Sequence, residues 1–93
     1  MLALSTWIEP LRLVYFARVR EAIGIDGEDR DLPVEVQTVA DCVIWLAAQG
    51  ESYATAFSDL PRLRFALDQQ MVWQETLLEG ANELAIFPPV TGG

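Results

Sequence analysis

The sequence predicts an α+β domain in which a mixed sheet of about five strands packs against one main helix. Segments of alternating polarity occur near residues 11–16, 63–73 and 83–87, as expected for strands with one buried face. One longer segment, residues 38–49, has apolar residues at helical spacing. The 93 residues are enough for one domain with a single core.

The first strand is predicted over residues 11–16, with one face toward the core and Phe16 on the other. Its core-facing residues would be Leu11, Leu13 and Tyr15, because Arg12 has to face water together with Val14. Phe16 would then be either an isolated surface aromatic or part of a docking patch. A short helix is predicted over residues 17–23, ended by Gly24 as a C-cap.

The middle of the chain is predicted to contain a second strand and the main helix. Residues 25–28 should form a turn, and residues 30–36 a strand that Pro33 confines to an edge or interrupts. Thr38 followed by Asp41 indicates a capped helix start, and the helix should extend to Gln49. Cys42 lies beside the apolar stripe and is interpreted as a packed side chain rather than a nucleophile.

A second, short helix is predicted over residues 53–59, capped by Ser52, and a hairpin over residues 63–73. In the hairpin, residues 68–70 should form the turn. Phe65 and Leu67 should be buried, and Arg64 and Ala66 should alternate with them on the exposed side.

The segment 83–93 is predicted to leave the fold as a tail. Residues 83–87 have strand periodicity, and Pro88 and Pro89 cannot donate hydrogen bonds to a sheet. The four residues that follow can project by at most about 13 Å, at about 3.3 Å per residue. Gly92 and Gly93 lack side chains, so this backbone could thread a narrow channel in another protein. We therefore divide the chain into an N-terminal extension (1–10), a domain (11–89) and a projecting tail (90–93).

Composition limits the possible functions. The net charge of −8, from 14 acidic and 6 basic residues, disfavours nucleic acid as a partner and favours steering toward a basic surface. The chain has no histidine and one cysteine, which excludes a His/Cys metal site and a Ser-His-Asp triad within it. A lone cysteine suits a reducing compartment. No apolar run approaches the length of a membrane span, so we expect no membrane contact and a cytoplasmic location.

Two motifs resemble one known family. Residues 87–93, Phe-Pro-Pro-Val-Thr-Gly-Gly, resemble the terminus of the molybdopterin synthase small subunits, which are ubiquitin-like sulfur carriers of the β-grasp class. Residues 15–24 resemble the first strand and helix start of the same family. The resemblance covers about residues 11–93. It implies a β-grasp fold, with the first and last strands side by side at the centre of the sheet.

The resemblance also implies a function. An activating enzyme that consumes ATP would adenylate Gly93, and sulfur transfer would convert the adenylate to a thiocarboxylate. The chain would then join a large catalytic subunit, whose pocket receives Gly92 and Gly93, and sulfur would pass to a pterin precursor of the molybdenum cofactor. The chain would be a non-catalytic subunit and co-substrate, with no permanently bound cofactor and no metal.

Three other functions stay open: a sulfur carrier for thiazole synthesis or tRNA thiolation, a protein modifier that forms isopeptides, and a non-covalent interaction module with an inert tail. In each case docking would use an exposed patch beside the tail. The candidate partner-binding residues are Phe16, Met71, Phe87, Pro88, Pro89, Val90 and Thr91, since aromatic residues and methionine are enriched at interface cores. The alternative is that residues 1–10 cover this sheet face.

Overall fold

A computed structural model of the protein describes residues 10–89. Five strands form one mixed sheet: β1 (Leu11–Tyr15), β2 (Gly27–Arg30), β3 (Arg64–Leu67), β4 (Gln70–Val72) and β5 (Glu83–Phe87). The helices are α1 (Ala17–Ile23), α2 (Val39–Ala47) and α3 (Glu51–Ala56), with one 3-10 turn at Leu60–Arg62. The strand order is β2-β1-β5-β3-β4. β1 and β5 are parallel central neighbours, and every other pairing is antiparallel. This is the predicted β-grasp arrangement.

The core lies between one sheet face and the helices. From β1 it takes Leu11, Leu13 and Tyr15, as the alternation predicts, and from β5 Leu84 and Ile86. From α2 it takes Val39, Cys42, Val43 and Leu46. Full burial of aliphatic side chains of this size contributes about 1.5–3 kcal/mol each, so these central strands and α2 are the most strongly held part of the domain.

The predicted end of α1 and the predicted start of α2 are confirmed, whereas α2 ends at Ala47 rather than at the predicted Gln49. Gly24 ends α1 with a left-handed φ of 96°, and its N–H donates to the Arg20 carbonyl. Thr38 and Asp41 form a capping box, in which the Thr38 side chain accepts from the Asp41 N–H and the Asp41 carboxylate accepts from the Thr38 N–H. Hydrogen bonds donated by the backbone N–H groups of Gln37 and Thr38 to the Asp41 carboxylate lower the pKa of Asp41.

The predicted second strand over residues 30–36 is wrong. β2 lies earlier, at Gly27–Arg30, and residues 31–37 form no strand. Pro33 has no N–H to donate to a sheet, and Val34 is exposed. The first residue of β2, Gly27, has no room for a side chain, because a Cβ there would lie 2.9 Å from the Leu13 carbonyl oxygen.

The second helix is also shifted from its predicted place. α3 begins at Glu51 after Gly50, not after Ser52, and it ends at Ala56 rather than Asp59. In the hairpin, the turn consists of Asp68 and Gln69, both with positive φ (49° and 72°), the pattern of a type I′ turn. Gln70 belongs to β4 instead.

Burial in β3 also differs from the prediction. Phe65 is buried and Leu67 only half-buried, while Ala66 is buried although it lies on the face away from the core. Its register partner on β5 is another buried alanine, Ala85.

An ionic network joins edge strand β2 to the core. Glu28 accepts hydrogen bonds from the Tyr15 and Tyr53 hydroxyls, both at 2.7 Å, and from Arg30 Nε at 3.0 Å. The Arg30 guanidinium lies 5.6 Å from the Trp45 ring and 5.5 Å from the Tyr53 ring, within cation–π range. The network therefore links β2 to β1, α2 and α3.

The network changes the titration of its members. Desolvation acts to raise the pKa of Glu28, but the hydrogen bonds from Tyr53, Tyr15 and Arg30 outweigh it, and the net pKa is lowered. Burial, together with the hydrogen bond to Glu28, raises the pKa of Tyr15. Folding therefore favours the ionised form of Glu28 and the neutral form of Tyr15.

We predict that Glu28→Gln lowers the free energy of unfolding at pH 7 by about 1.5–3 kcal/mol, the range for hydrogen bonds to a charged group. Because the pKa of Glu28 is lowered from its ordinary value of 4.5, its contribution is complete above that value and is lost as the pH falls through the lower folded pKa. Urea unfolding between pH 7 and pH 3 should show a smaller difference between the variant and the parent at the acid end.

Asp29→Asn is the matched control for this prediction. Asp29 is the next residue on β2, and within residues 10–89 its one side-chain ion pair is the exposed pair with Arg12, at 3.6 Å. Its effect should therefore stay below about 1 kcal/mol. Equal destabilisation by the two variants would show that the network has no special role.

Candidate functional site

The candidate site lies where β1 and β5 end side by side. The parallel register pairs Tyr15 with Ile86, so the next residues, Phe16 and Phe87, lie side by side where the two strands end. Their rings stack with centroids 4.6 Å apart and planes at 3° to each other. Such aromatic pairs contribute about 0.5–1.5 kcal/mol beyond their buried area. The stack therefore fixes two of the predicted docking residues against each other.

Backbone geometry holds Phe16 in place. Its N–H donates to the Ile86 carbonyl at 3.2 Å, and its carbonyl accepts from the N–H groups of Val19 and Arg20 in the first turns of α1. Ala17 takes a left-handed φ of 51°, which is costly for a residue with a Cβ. This sharp turn lets α1 begin directly after Phe16, so the phenyl ring stays in register with Phe87.

The rest of the predicted patch lies on the same sheet face, opposite α2. Met71 pairs with Ala66 and Ala66 with Ala85, so the two buried alanines form a floor between β1 and β4. Met71 is 66% exposed and Phe16 39% exposed. On this sheet face, larger apolar side chains therefore surround a centre formed by two small alanine side chains.

The sequence prediction missed Trp73, which is 77% exposed. It follows Met71 by two residues, and the half-buried Val72 between them packs against the core. Alternation therefore places Trp73 on the same face as Met71. This signal was present in the sequence, because residues 71–73 were already predicted to be a strand. We call Phe16, Phe87, Met71 and Trp73 the outer patch.

The start of the tail is held against the domain. We call Phe87–Pro89 the tail root; its three residues are half-buried. Pro88 and Pro89 line a groove of about 650 Å³ whose other walls come from α1, α3 and the segment around the 3-10 turn. Val90, Thr91, Gly92 and Gly93, also predicted as site residues, lie outside the described residues, as do residues 1–9 of the predicted N-terminal extension.

The described residues provide little chemistry of their own at this site. Across residues 10–89, no group of three or more His, Cys, Asp or Glu side chains is arranged to hold a metal ion. None of the helices in that range is long and apolar enough to cross a membrane. Burial raises the pKa of the Cys42 thiol to about 12, and Cys42 lies in the core on α2 rather than at the tail root.

We predict that Cys42 in the folded protein resists iodoacetamide at pH 8. With a pKa of about 12, the thiolate fraction is on the order of 1 in 10,000, and the thiolate is the reactive form. Mass spectrometry should show alkylation only when urea unfolds the chain, which also serves as the positive control. Rapid alkylation of the folded protein would contradict the assignment of Cys42 as a packed core residue.

Known proteins resemble this chain over most of its length. The model of the ThiS family matches residues 13–93. The molybdopterin synthase sulfur carrier subunit of Escherichia coli strain K12 is 35% identical over 83 residues, covering 89% of this chain and 99% of the relative. The protein of the same name from Haemophilus influenzae is 34% identical with the same coverage.

A solved structure shows the same fold at lower identity. The crystal structure of SAMP1 from Haloferax volcanii superposes with a TM-score of 0.66 at 20% identity, covering 90% of this chain and 99% of the other. This likeness concerns the β-grasp fold alone. The match of the family model over residues 13–93 shows that the chain belongs to the ThiS family, and its relatives at 34–35% identity include molybdopterin synthase sulfur carrier subunits.

Proposed function

We propose that this chain is the sulfur carrier subunit of a molybdopterin synthase. The observation that carries the proposal is the exit of β5 from the sheet centre, through Pro88 and Pro89, beside the stacked Phe16 and Phe87. The relatives named molybdopterin synthase sulfur carrier subunit support it, at 35% and 34% identity over 83 residues. The tail starts from a rigid root with an apolar patch beside it, which suits docking to a partner that receives the tail.

The proposed chemistry takes place at the Gly93 carboxylate. A carboxylate oxygen attacks the α-phosphate of ATP in an activating enzyme, and pyrophosphate leaves. A sulfur nucleophile supplied by a persulfide then attacks the glycyl carbon, and AMP leaves. A second thiolate then attacks the donor's sulfur atom in the sulfur–sulfur bond, so that the donor is left with a disulfide and Gly93 carries a thiocarboxylate. The chain supplies the reacting atom, and the partner proteins supply positioning and charge stabilisation.

In the proposed second stage the charged chain docks on a large catalytic subunit. The pocket of that subunit receives Gly92 and Gly93, and the sulfur passes to a pterin precursor to build the dithiolene that binds molybdenum. Gly92 would allow entry because a residue without a Cβ needs the narrowest channel. The outer patch would form the apolar centre of the interface with the subunit.

The alternatives differ in the final acceptor or in the use of the tail. A sulfur carrier for thiazole synthesis or tRNA thiolation would form the same thiocarboxylate and deliver it elsewhere. A protein modifier would form isopeptides with target lysines, and a non-covalent module would bind partners without any change at Gly93. The mass of the chain and the identity of the acceptor separate these functions.

We predict that incubation with ATP, a sulfur donor and the activating enzyme of the same cell exchanges one oxygen of Gly93 for sulfur. Intact-mass spectrometry should show this gain, and fragmentation should place it on Gly93. A variant extended beyond Gly93 is the control, because its glycyl carbonyl is part of an amide and cannot be adenylated. An unchanged mass for a folded chain, or an equal gain in the extended variant, would contradict the proposed chemistry.

We predict that Phe87→Ala weakens binding to the large catalytic subunit by about 2 kcal/mol, or about thirtyfold, as expected for an aromatic residue at an interface centre. Titration calorimetry with the purified subunit would measure this. Ile44→Ala is the matched control, because Ile44 is also exposed, at 62%, but lies on α2 on the other side of the sheet. Unchanged affinity for Phe87→Ala would remove the stacked pair from the interface.

A further inference from the structure

The groove beside the tail root is bordered by arginines, although the chain as a whole is acidic. Arg18, from the first turn of α1, and Arg62, from the 3-10 turn, line this groove together with Pro88 and Pro89. The first residue of β3, Arg64, pairs in register with Phe87. Three of the six basic residues of the chain therefore surround the point where the tail begins.

Local hydrogen bonds hold Arg64 against the chain segment that precedes it. Its Nη1 donates to the carbonyls of Arg62 and Leu63, at 3.2 and 3.1 Å. These bonds fold the guanidinium back along the segment that forms one groove wall. We call Arg18, Arg62 and Arg64 the basic rim.

Two carboxylates also line the groove, Glu21 and Asp59, and neither cancels the rim. Asp59 pairs with Arg62 at 3.8 Å, with both side chains more than half exposed. Such a pair is weak, and a guanidinium has five N–H donors, so Arg62 can bind a further acceptor. When Arg64 is counted with Arg18 and Arg62, the tail root has three arginines against these two carboxylates, which is a local excess of one positive charge.

The opposite end of the sheet has the opposite character. There Asp68 accepts hydrogen bonds from the backbone N–H groups of Asn82 and Glu83, and Arg12 pairs with Asp29. From Glu83 to Phe87 the strand rises by about 13 Å, whereas the Debye length at physiological salt is about 8 Å. A partner at the tail root is thus screened from these carboxylates and interacts mainly with the basic rim.

We propose that the basic rim docks against an acidic protein surface, a set of Asp and Glu side chains around the opening that receives the tail. Charge complementarity identifies this chemistry: exposed guanidiniums next to an apolar aromatic patch match carboxylates around an apolar depression. The inference rests on the proposed function, because it assumes a partner that takes up residues 90–93. It also replaces the expectation from net charge, which is a basic partner surface.

Association kinetics with the activating enzyme of the same cell test this proposal. The variants are Arg62→Gln and Arg18→Gln, and Arg12→Gln is the matched control. Within residues 10–89, Arg12 and Arg62 each form one exposed ion pair, at 3.6 and 3.8 Å respectively. Either substitution therefore removes one charge and one weak ion pair. Thermal unfolding would establish that all three variants remain folded.

At about 0.05 M NaCl, where the Debye length exceeds 10 Å, Arg62→Gln and Arg18→Gln should each slow association roughly three- to tenfold. Arg12→Gln should stay within about twofold of the parent chain. Near 0.5 M NaCl the differences should collapse, and the parent rate should have fallen. Equal rates for Arg62→Gln and Arg12→Gln, or a parent rate that rises with salt, would overturn the proposal. So would an effect of the rim variants only on the KM for ATP, which would assign the arginines to nucleotide phosphates.

The mass of the chain separates a failure of this inference from a failure of the proposed function. If Gly93 gains sulfur but the rim variants associate like Arg12→Gln, the carrier function stands and the acidic partner surface is wrong. If Gly93 never gains sulfur but association depends on the rim and on salt as predicted, the docking surface stands and the carrier function is wrong.

Discussion

The parallel pairing of β1 with β5 is the constraint on which the rest of this structure depends. These strands come from opposite ends of the domain, yet they are central neighbours with Leu13 beside Leu84 and Tyr15 beside Ile86, all four side chains buried. Because the strands are parallel, whatever follows each of them emerges at the same edge of the sheet. α1 and the tail root therefore start side by side, held by the best-packed part of the core. In the proposed docking, the tail root would have little conformational freedom left to lose.

The edges of the sheet are stabilised differently from its centre. β2, Gly-Glu-Asp-Arg, offers the core no apolar side chain, and its inward residues Glu28 and Arg30 are held by Tyr15, Tyr53 and the Trp45 ring. A charged edge strand also discourages pairing with another chain. The cost is sensitivity to acid at this edge, because the network needs Glu28 ionised. The centre of the sheet, built from aliphatic side chains, has no such dependence.

Local patterns predicted the elements whose side chains follow a simple period or a cap. β1, the start of α2 at Thr38 and the end of α1 at Gly24 were placed correctly for this reason. β2 was missed because its inward side chains are charged, and their burial becomes favourable through partners from β1, α2 and α3 that lie elsewhere in the sequence.

The candidate site, like the fold, could be predicted from the sequence only in part. The stacked pair and Met71 follow from alternation and from the resemblance at the tail, and Trp73 follows from the same alternation. The basic rim could not be predicted from the sequence, because Arg18 and Arg64 are 46 positions apart. They are brought to the same end of the sheet through the β1–β5–β3 pairing.

An acidic chain with a basic rim at its tail root can distinguish partners from copies of itself. Two copies that met through the outer patch near Phe87 would bring Arg64, its register neighbour on β3, close to Arg64 of the other copy, and like charges facing each other cost affinity. The net charge of −8 adds a general repulsion between copies. A partner with carboxylates around an apolar depression does not meet the first of these penalties, and it gains the same aromatic contacts. Specificity of this kind combines an attractive contact with a repulsive one. An exposed aromatic patch can thus be kept available for docking while self-association through it is disfavoured.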